Sequence, residues 1–216
     1  MYASGAAFVG DPTCNAAKWP DEEEQVPTMK TPTQFLGLAG RRRSCRRYDA
    51  ERDVPPEALH YCFEAVRLAP SACNQQPWHL VGVRDSEMRN RLCNEALLPG
   101  INHDWMADAP VIVALCVKLS VLTHRVAPAF SGIPYYLLDA GIAGEHLVLA
   151  AAEQGLGSCW IGWIQEKRVR RLLNIPRRVR VPALITLGYP ADPDHFARPG
   201  VPRRELETMV SWERWS

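Results

Sequence analysis

The run Arg41-Arg42-Arg43-Ser44-Cys45-Arg46-Arg47-Tyr48 places five arginines and a serine hydroxyl within eight residues of a chain whose net charge is only +1. So local a positive excess calls for an anion, and guanidinium forks beside a hydroxyl donor suit a phosphate monoester. Arg42, Ser44 and Arg46 alternate with Arg43 and Arg47, so one subset can converge while the other meets water or a carboxylate. A solvated helix face is the plain alternative for such a cluster read alone. A second segment, Ala69 to Trp78, sets Ser71, Asn74 and Gln76 between Pro70 and Pro77. Side-chain amides offer donor and acceptor together, the chemistry that a uracil-like ring edge needs. The same residues could equally serve the turns of their own loop.

A third segment runs Gly155-Leu156-Gly157-Ser158-Cys159-Trp160-Ile161-Gly162-Trp163. Its glycines follow a helix and enter an apolar, strand-like stretch, the reverse of the strand-to-helix order of a dinucleotide-binding loop. Gly155 reads as a helix C-cap; Gly157 and Gly162 would let backbone approach a flat group. There is no GxxxxGK[ST] loop, no HExxH and no GxSxG, so phosphate-loop, zinc-protease and serine-hydrolase chemistry are not indicated and no metal is expected.

The elements that must hold these segments alternate between helix and strand, which gives an α/β or α+β class with one layered core. Thr33 caps a short helix, Gln34 to Leu38, that delivers the chain to the arginines. Pro55-Pro56 opens a second helix with Leu59, Cys62, Phe63, Val66 and Ala69 on one face, stopped by Pro70. His79 to Val83 reads as a strand, Glu87 to Leu97 as a polar helix, and Pro110 to Val117 as a central buried strand. Tyr136 to Gln154 is apolar almost all round and must be covered on most sides; it is expected to form the spine of the core and part of a homodimer interface. Lys167 to Asn174 reads as a short basic helix whose arginines look like ordinary surface, and Ala183 to Tyr189 as another strand.

The near-zero net charge argues against a nucleic-acid-coating protein. Seven cysteines, none closer than eleven positions to the next, fit neither CxxC chemistry nor a closed disulfide framework; reduced thiols in a cytoplasmic protein are the simplest account. The longest apolar run, Ala109 to Leu122, contains Lys118 and is too short to cross a bilayer. Residues 1–31, with the acidic run Asp21-Glu22-Glu23-Glu24, read as a flexible N-terminal extension.

Taken in order, RRSCRRY, APSACNQQPW, DAGIAGEHLVLAAAEQGLGSCWIGW and LGYP resemble the successive signature segments of the nitroreductase family of FMN-dependent oxidoreductases. The resemblance covers about residues 33 to 212. It implies residues 32–216 as an FMN-binding domain and an α+β fold. That fold is a three-layer α/β/α sandwich around a mostly antiparallel sheet, in an intertwined homodimer with shared FMN sites. It further implies phosphate contacts from Arg42, Arg43 and Ser44, with Arg46 reaching the ribityl and pyrimidine end. Arg203 and Arg204 match a basic pair at the phosphate. Pro70, Ser71, Ala72, Asn74 and Gln76 would come from the opposite subunit, and Trp160, Ile161 and Gly162 would lie near flavin N5. Hydride would pass from NADH or NADPH through the flavin to a nitroaromatic, quinone or similar planar acceptor in a ping-pong cycle, with no side-chain base required. A flavin-binding sensor or carrier without turnover is the alternative left open. One departure stands out: Glu145-His146 occupies a place in the long helix where many relatives carry Gln-Asn.

Overall fold

A computed structural model describes residues 34–119, 132–197 and 201–215. The expected extension, residues 1–31, lies outside the described residues, as does Thr33, the expected cap of the first helix.

Among the described residues, five α-helices accompany one four-stranded sheet. Helix α1, Gln34–Arg41, has no buried residue. Helix α2, Pro56–Arg67, opens on proline, whose fixed φ and missing N–H suit a first turn, and buries Ala58, Leu59, Cys62 and Val66. Strand β1, Trp78–Val83, leads to α3, Ser86–Glu95, whose N-cap Asp85 accepts the Met88 N–H at 2.8 Å. Strand β2, Val111–Lys118, is followed by α4, Tyr135–Glu153. Gly155 ends that helix at φ +72°, the left-handed C-cap expected from sequence. Strand β3 is Gly157–Ile161, α5 is Glu166–Leu172 and β4 is Val179–Gly188.

The strands order β1-β2-β4-β3, every neighbouring pair antiparallel. Strand β2 is central, as expected, and its alternation builds both cores. Val111, Val113, Leu115 and Val117 face the layer of α2 and α4, while Ile112, Ala114 and Cys116 face the layer of α3 and α5. A strand buried on both faces reads as a continuous apolar run, which is why its sequence shows no polar alternation. The α+β class and the three layers are as the resemblance implied.

Most expected boundaries shift by three residues or fewer, and one differs by more. Strand β4 begins at Val179, four residues before the expected Ala183, and so contains Pro182. Proline lacks a ladder donor and is confined in sheets to edges or bulges. The pairing register with β2 shifts between Leu115 and Val117, opposite this proline, and that irregularity lets the strand continue through it.

Candidate functional site

The arginine segment is held by its two buried members. Cys45 and Tyr48 are almost fully buried, while Ser44, Arg46 and Arg47 are exposed and Arg42 and Arg43 half-buried. Backbone bonds fix the segment across the end of the sheet. Ser44 bridges Ser158 of β3 in parallel fashion, Cys45 N–H donates to Ser158 O at 2.8 Å, Ala191 N–H to Arg47 O at 3.0 Å and Asp49 N–H to Tyr189 O at 2.9 Å. The Tyr48 hydroxyl bonds to Thr186 Oγ1 at 2.7 Å and lies 3.1 Å from Cys45 O; burial pushes its pKa well above the ordinary value.

Two glycines make room for these anchors. A Cβ at Gly157 would lie 2.7 Å from Cys45 Cβ and 2.8 Å from its Sγ, and one at Gly188 would lie 2.5 Å from Pro110 Cδ and 2.9 Å from Tyr48 Cδ1. Gly157 therefore serves Cys45, and not the close approach to a flat ligand expected from sequence. Burial raises the Cys159 thiol, while Arg46, the Ser44 hydroxyl and Arg42 pull it down, so this thiol lies directly behind the cradle.

Arg42, Arg43, Ser44, Arg46, Arg47 and Arg203 line one open cavity of about 990 Å³, so the expected split of the arginines into two alternating subsets does not hold. Arg204 is exposed and does not line it. Among the lining residues that escaped the sequence reading, two are polar: His195, which is buried, and Asp192. They sit in the Asp192-Pro193-Asp194-His195 turn beyond β4, where an acid-rich turn after a strand was the available signal. Glu145, whose place in α4 was unexplained, stands with Oε1 4.0 Å from Arg42 Nε. The cavity thus gathers guanidinium groups from two remote segments beside a hydroxyl. That donor set fits a phosphate dianion, so the tail of an FMN molecule suits the residues present.

The Pro70–Gln76 loop does not line this cavity. Its polar side chains are engaged within the loop: Ser71 Oγ accepts the Gln76 backbone N–H at 2.8 Å, and Gln76 Nε2 donates to Asn74 Oδ1 at 3.1 Å. Cys73, Asn74 and Gln76 hold left-handed φ of 51°, 51° and 45°, a conformation that costs non-glycine residues free energy and persists only where surroundings impose it. Part of that constraint comes from Asp139, a buried carboxylate in apolar α4 that accepts the Ala72 N–H at 2.8 Å. Asp139 was missed in the sequence, although one acid inside an apolar helix was the sign. Six residues further along α4, about 9 Å of helix rise, Glu145 reaches Arg42. One helix therefore carries both the loop and the cradle.

At the end of β3, Trp160 turns its indole onto α4, where it occupies the space a side chain at position 144 would need. Its ring is a packing group, which leaves only its backbone to a ligand. Ile161 is buried in the ladder opposite Leu184, and Gly162, past the strand end, is exposed. Among the described residues no group of three or more histidine, cysteine or acidic side chains could hold a metal ion, and no helix is long and apolar enough to cross a membrane.

Comparison with known proteins agrees with this architecture. The sequence profile described as the nitroreductase family matches residues 39–189. A protein of Archaeoglobus fulgidus, provisionally named NADH dehydrogenase/NAD(P)H nitroreductase, is 35% identical over 169 residues, which cover 76% of this chain and 89% of that one. An NADH dehydrogenase of Thermus thermophilus is 31% identical over 216 residues, covering 88% and 99%. The structure of an FMN-dependent nitroreductase of Clostridium difficile shares the fold with a TM-score of 0.68 at 24% identity, over 83% of this chain and 99% of that one. With a profile matching residues 39–189, most of its described length, the chain belongs to the nitroreductase family of oxidoreductases.

Proposed function

We propose that this chain is an FMN-dependent NAD(P)H oxidoreductase that acts as a homodimer on planar acceptors such as nitroaromatics and quinones, in the cytoplasm. The observation that carries the reading is the convergence of Arg42, Arg43, Ser44, Arg46 and Arg203 on one cavity. The redox chemistry, hydride transfer at N5, would be supplied by FMN held there. The chain binds and orients. Arg42, Arg43 and Ser44 hold the phosphate, with Arg203 closing from the C-terminal segment. Arg46 extends along the ribityl chain so that its charge favours negative charge at the pyrimidine end of the ring, a preorganised electrostatic contribution. Backbone N–H groups at Ile161 and Gly162 fix the ring edge where hydride must arrive. Pro70, Ser71, Ala72, Asn74 and Gln76 of a second copy frame the opposite edge. NADH or NADPH donates and leaves before the acceptor enters the same slot, which makes the kinetics ping-pong.

The dimer is supported by apolar surface that one copy leaves open. Phe35 of α1, Leu137, Leu138 and Ile142 of α4, and Leu206, Met209 and Trp215 of the C-terminal segment are all exposed, Trp215 at 99%. Of these, Phe35 and Ile142 line one hollow with Leu38, Ala65 and Leu149, and exposed apolar area of this kind marks an interaction surface. Relatives named for NADH dehydrogenase and NAD(P)H nitroreductase activity support the choice of electron donor.

The decisive measurement is an absorption spectrum of the purified protein before and after anaerobic addition of NADH or NADPH. A yellow protein that bleaches within seconds and recovers its colour on adding a quinone is expected. A colourless protein that takes up no FMN would end the reading, and a yellow one that does not bleach would make it a flavin carrier or sensor.

A further inference from the structure

The stretch Glu166 to Arg180 contains seven of the chain's 25 basic residues and one of its 24 acidic ones, a net +6 in fifteen residues of a chain whose total is +1. The structure folds this charge into a concavity. Lys167, Arg170, Arg171 and Asn174 recur at i, i+3, i+4 and i+7, the spacing of one helical face running from α5 into its C-terminal turn. Asn174 then takes a left-handed φ of 52°, and Ile175 N–H returns to Arg170 O at 2.8 Å, so the chain doubles back over that face. Between them lies a cavity of about 780 Å³ lined by Lys167, Arg170, Arg171 and Arg177, with no carboxylate on its wall.

The walls are preorganised. Arg170 Nη1 donates to Arg177 O at 2.6 Å, which ties the returning chain to the helix. The one acid of the stretch is engaged elsewhere: Glu166 Oε1 takes Arg180 Nε at 2.8 Å and Val181 N–H at 3.0 Å. Lys167, Arg171 and Arg177 make no ion pair among the described residues. Cations in the last turn of a helix complement its dipole, which accounts for Arg170 and Arg171. It accounts neither for Lys167, in the first turn, nor for Arg177, which folds back from beyond the helix. Like charges gathered at close range repel unless an anion lies among them.

We propose that this cavity is a second anion-binding site, distinct from the arginine cradle, for a compact ligand of the polyphosphate class. Its size falls within the roughly 300–1,000 Å³ of small-molecule sites, and guanidinium forks match phosphoryl oxygens in pairs. No aromatic side chain lines it, so it grips the phosphates of a ligand and offers no platform for a base.

The test is calorimetric titration of sodium tripolyphosphate into protein first saturated with FMN, and again without FMN. One equivalent bound per chain is expected, with affinity falling as salt rises. The triple variant Lys167→Gln/Arg171→Gln/Arg177→Gln should bind at least tenfold more weakly, and Arg171→Glu alone should show a clear part of that loss. All three side chains lie on the surface, so far-UV dichroism should match wild type. Binding should persist in Arg42→Gln, which separates this site from the FMN cradle whatever the outcome for FMN itself. No binding, loss in Arg42→Gln with retention in the triple variant, or tighter binding of a DNA duplex or anionic vesicles than of tripolyphosphate would overturn the proposal.

Discussion

Replacing Gly157 by alanine tests whether the cradle is shaped from behind. The added Cβ would stand 2.7 Å from Cys45 Cβ, 2.8 Å from Cys45 Sγ and 3.1 Å from Pro190 Cγ. Carbon atoms in contact prefer about 3.5–4.0 Å, so the Cys45 segment must retreat by roughly 1 Å. Overpacking of that kind costs about 1–3 kcal/mol, which for a domain of this size lowers Tm by roughly 2–12 °C. Cys45 lies between Ser44 and Arg46, so the retreat also moves two members of the cradle, and loss of one charge-assisted bond weakens FMN about tenfold or more. Thermal unfolding and FMN titration read the two effects separately. Gly155→Ala is the contrast. Its φ of +72° makes the substitution strained, but nothing lies within 4 Å of the new Cβ. It should lose about 1–3 kcal/mol of stability with no change in FMN affinity. Cys45→Gly beside Gly157→Ala returns most of the space, and the double variant should be more stable than the sum of the singles by about 1 kcal/mol. Unchanged FMN affinity in Gly157→Ala, or strict additivity in the pair, would refute the reasoning.

Arg42→Ala removes one charge-assisted phosphate contact and should weaken FMN about ten- to a hundredfold, corresponding to roughly 1.5–3 kcal/mol; Ser44→Ala should cost less, and Arg204→Ala should cost nothing measurable by the same titration. Asp139→Ala leaves the Ala72 N–H without its acceptor and should raise hydrogen exchange through residues 71–76, while Asp139→Asn keeps most of the protection. For Glu166, burial raises the carboxyl pKa, but the bonds from Arg180 and Val181 N–H outweigh it and leave it below its ordinary 4.5. Its contribution to stability is therefore present above about that pH and fades as pH falls through the lower folded value. Glu166→Gln should be less stable than wild type at pH 6, the gap narrowing below about pH 4 in urea titrations. Burial pushes the Cys62, Cys93 and Cys116 thiols up to about 11, so they should stay unreactive at pH 8. Among the described cysteines exposed Cys73 should alkylate first, and the Cys73→Ser variant should lose that modification at its own peptide by mass spectrometry.

What could be read in the sequence was whatever a residue does through its own neighbours in the chain. The apolar run of β2 announced a strand buried on both faces, and Gly155 announced a C-cap, because both properties are local. The arginine cluster announced an anion for the same reason. What failed were properties that belong to pairs. Gly157 looked like a place for a ligand because its actual occupant, Cys45, lies more than a hundred positions away. Gly188 makes room for Tyr48 in the same way, so two signature segments, GLGSCW and LGYP, keep glycine for the sake of a third, RRSCRRY. Strand β4 was cut short at Pro182 because the rule against proline in a ladder takes no account of the bulge that the opposite strand supplies. The polar side chains of the Ser71 loop illustrate the remaining gap. Ser71 accepts the Gln76 backbone N–H and Asn74 the Gln76 side-chain amide, as residues serving their own turn would. On the proposed reading the exposed Asn74 and Gln76 serve a second copy, so the cradle and the loop would divide the predicted site between two chains. A mixed dimer tests that division: pairing an Arg42→Ala chain with an Asn74→Ala chain should leave one intact site in two, whereas homodimers of either variant should have none at full affinity. If FMN stoichiometry at limiting ligand is equally impaired in the mixed dimer and in both homodimers, the cradle and the loop belong to one subunit.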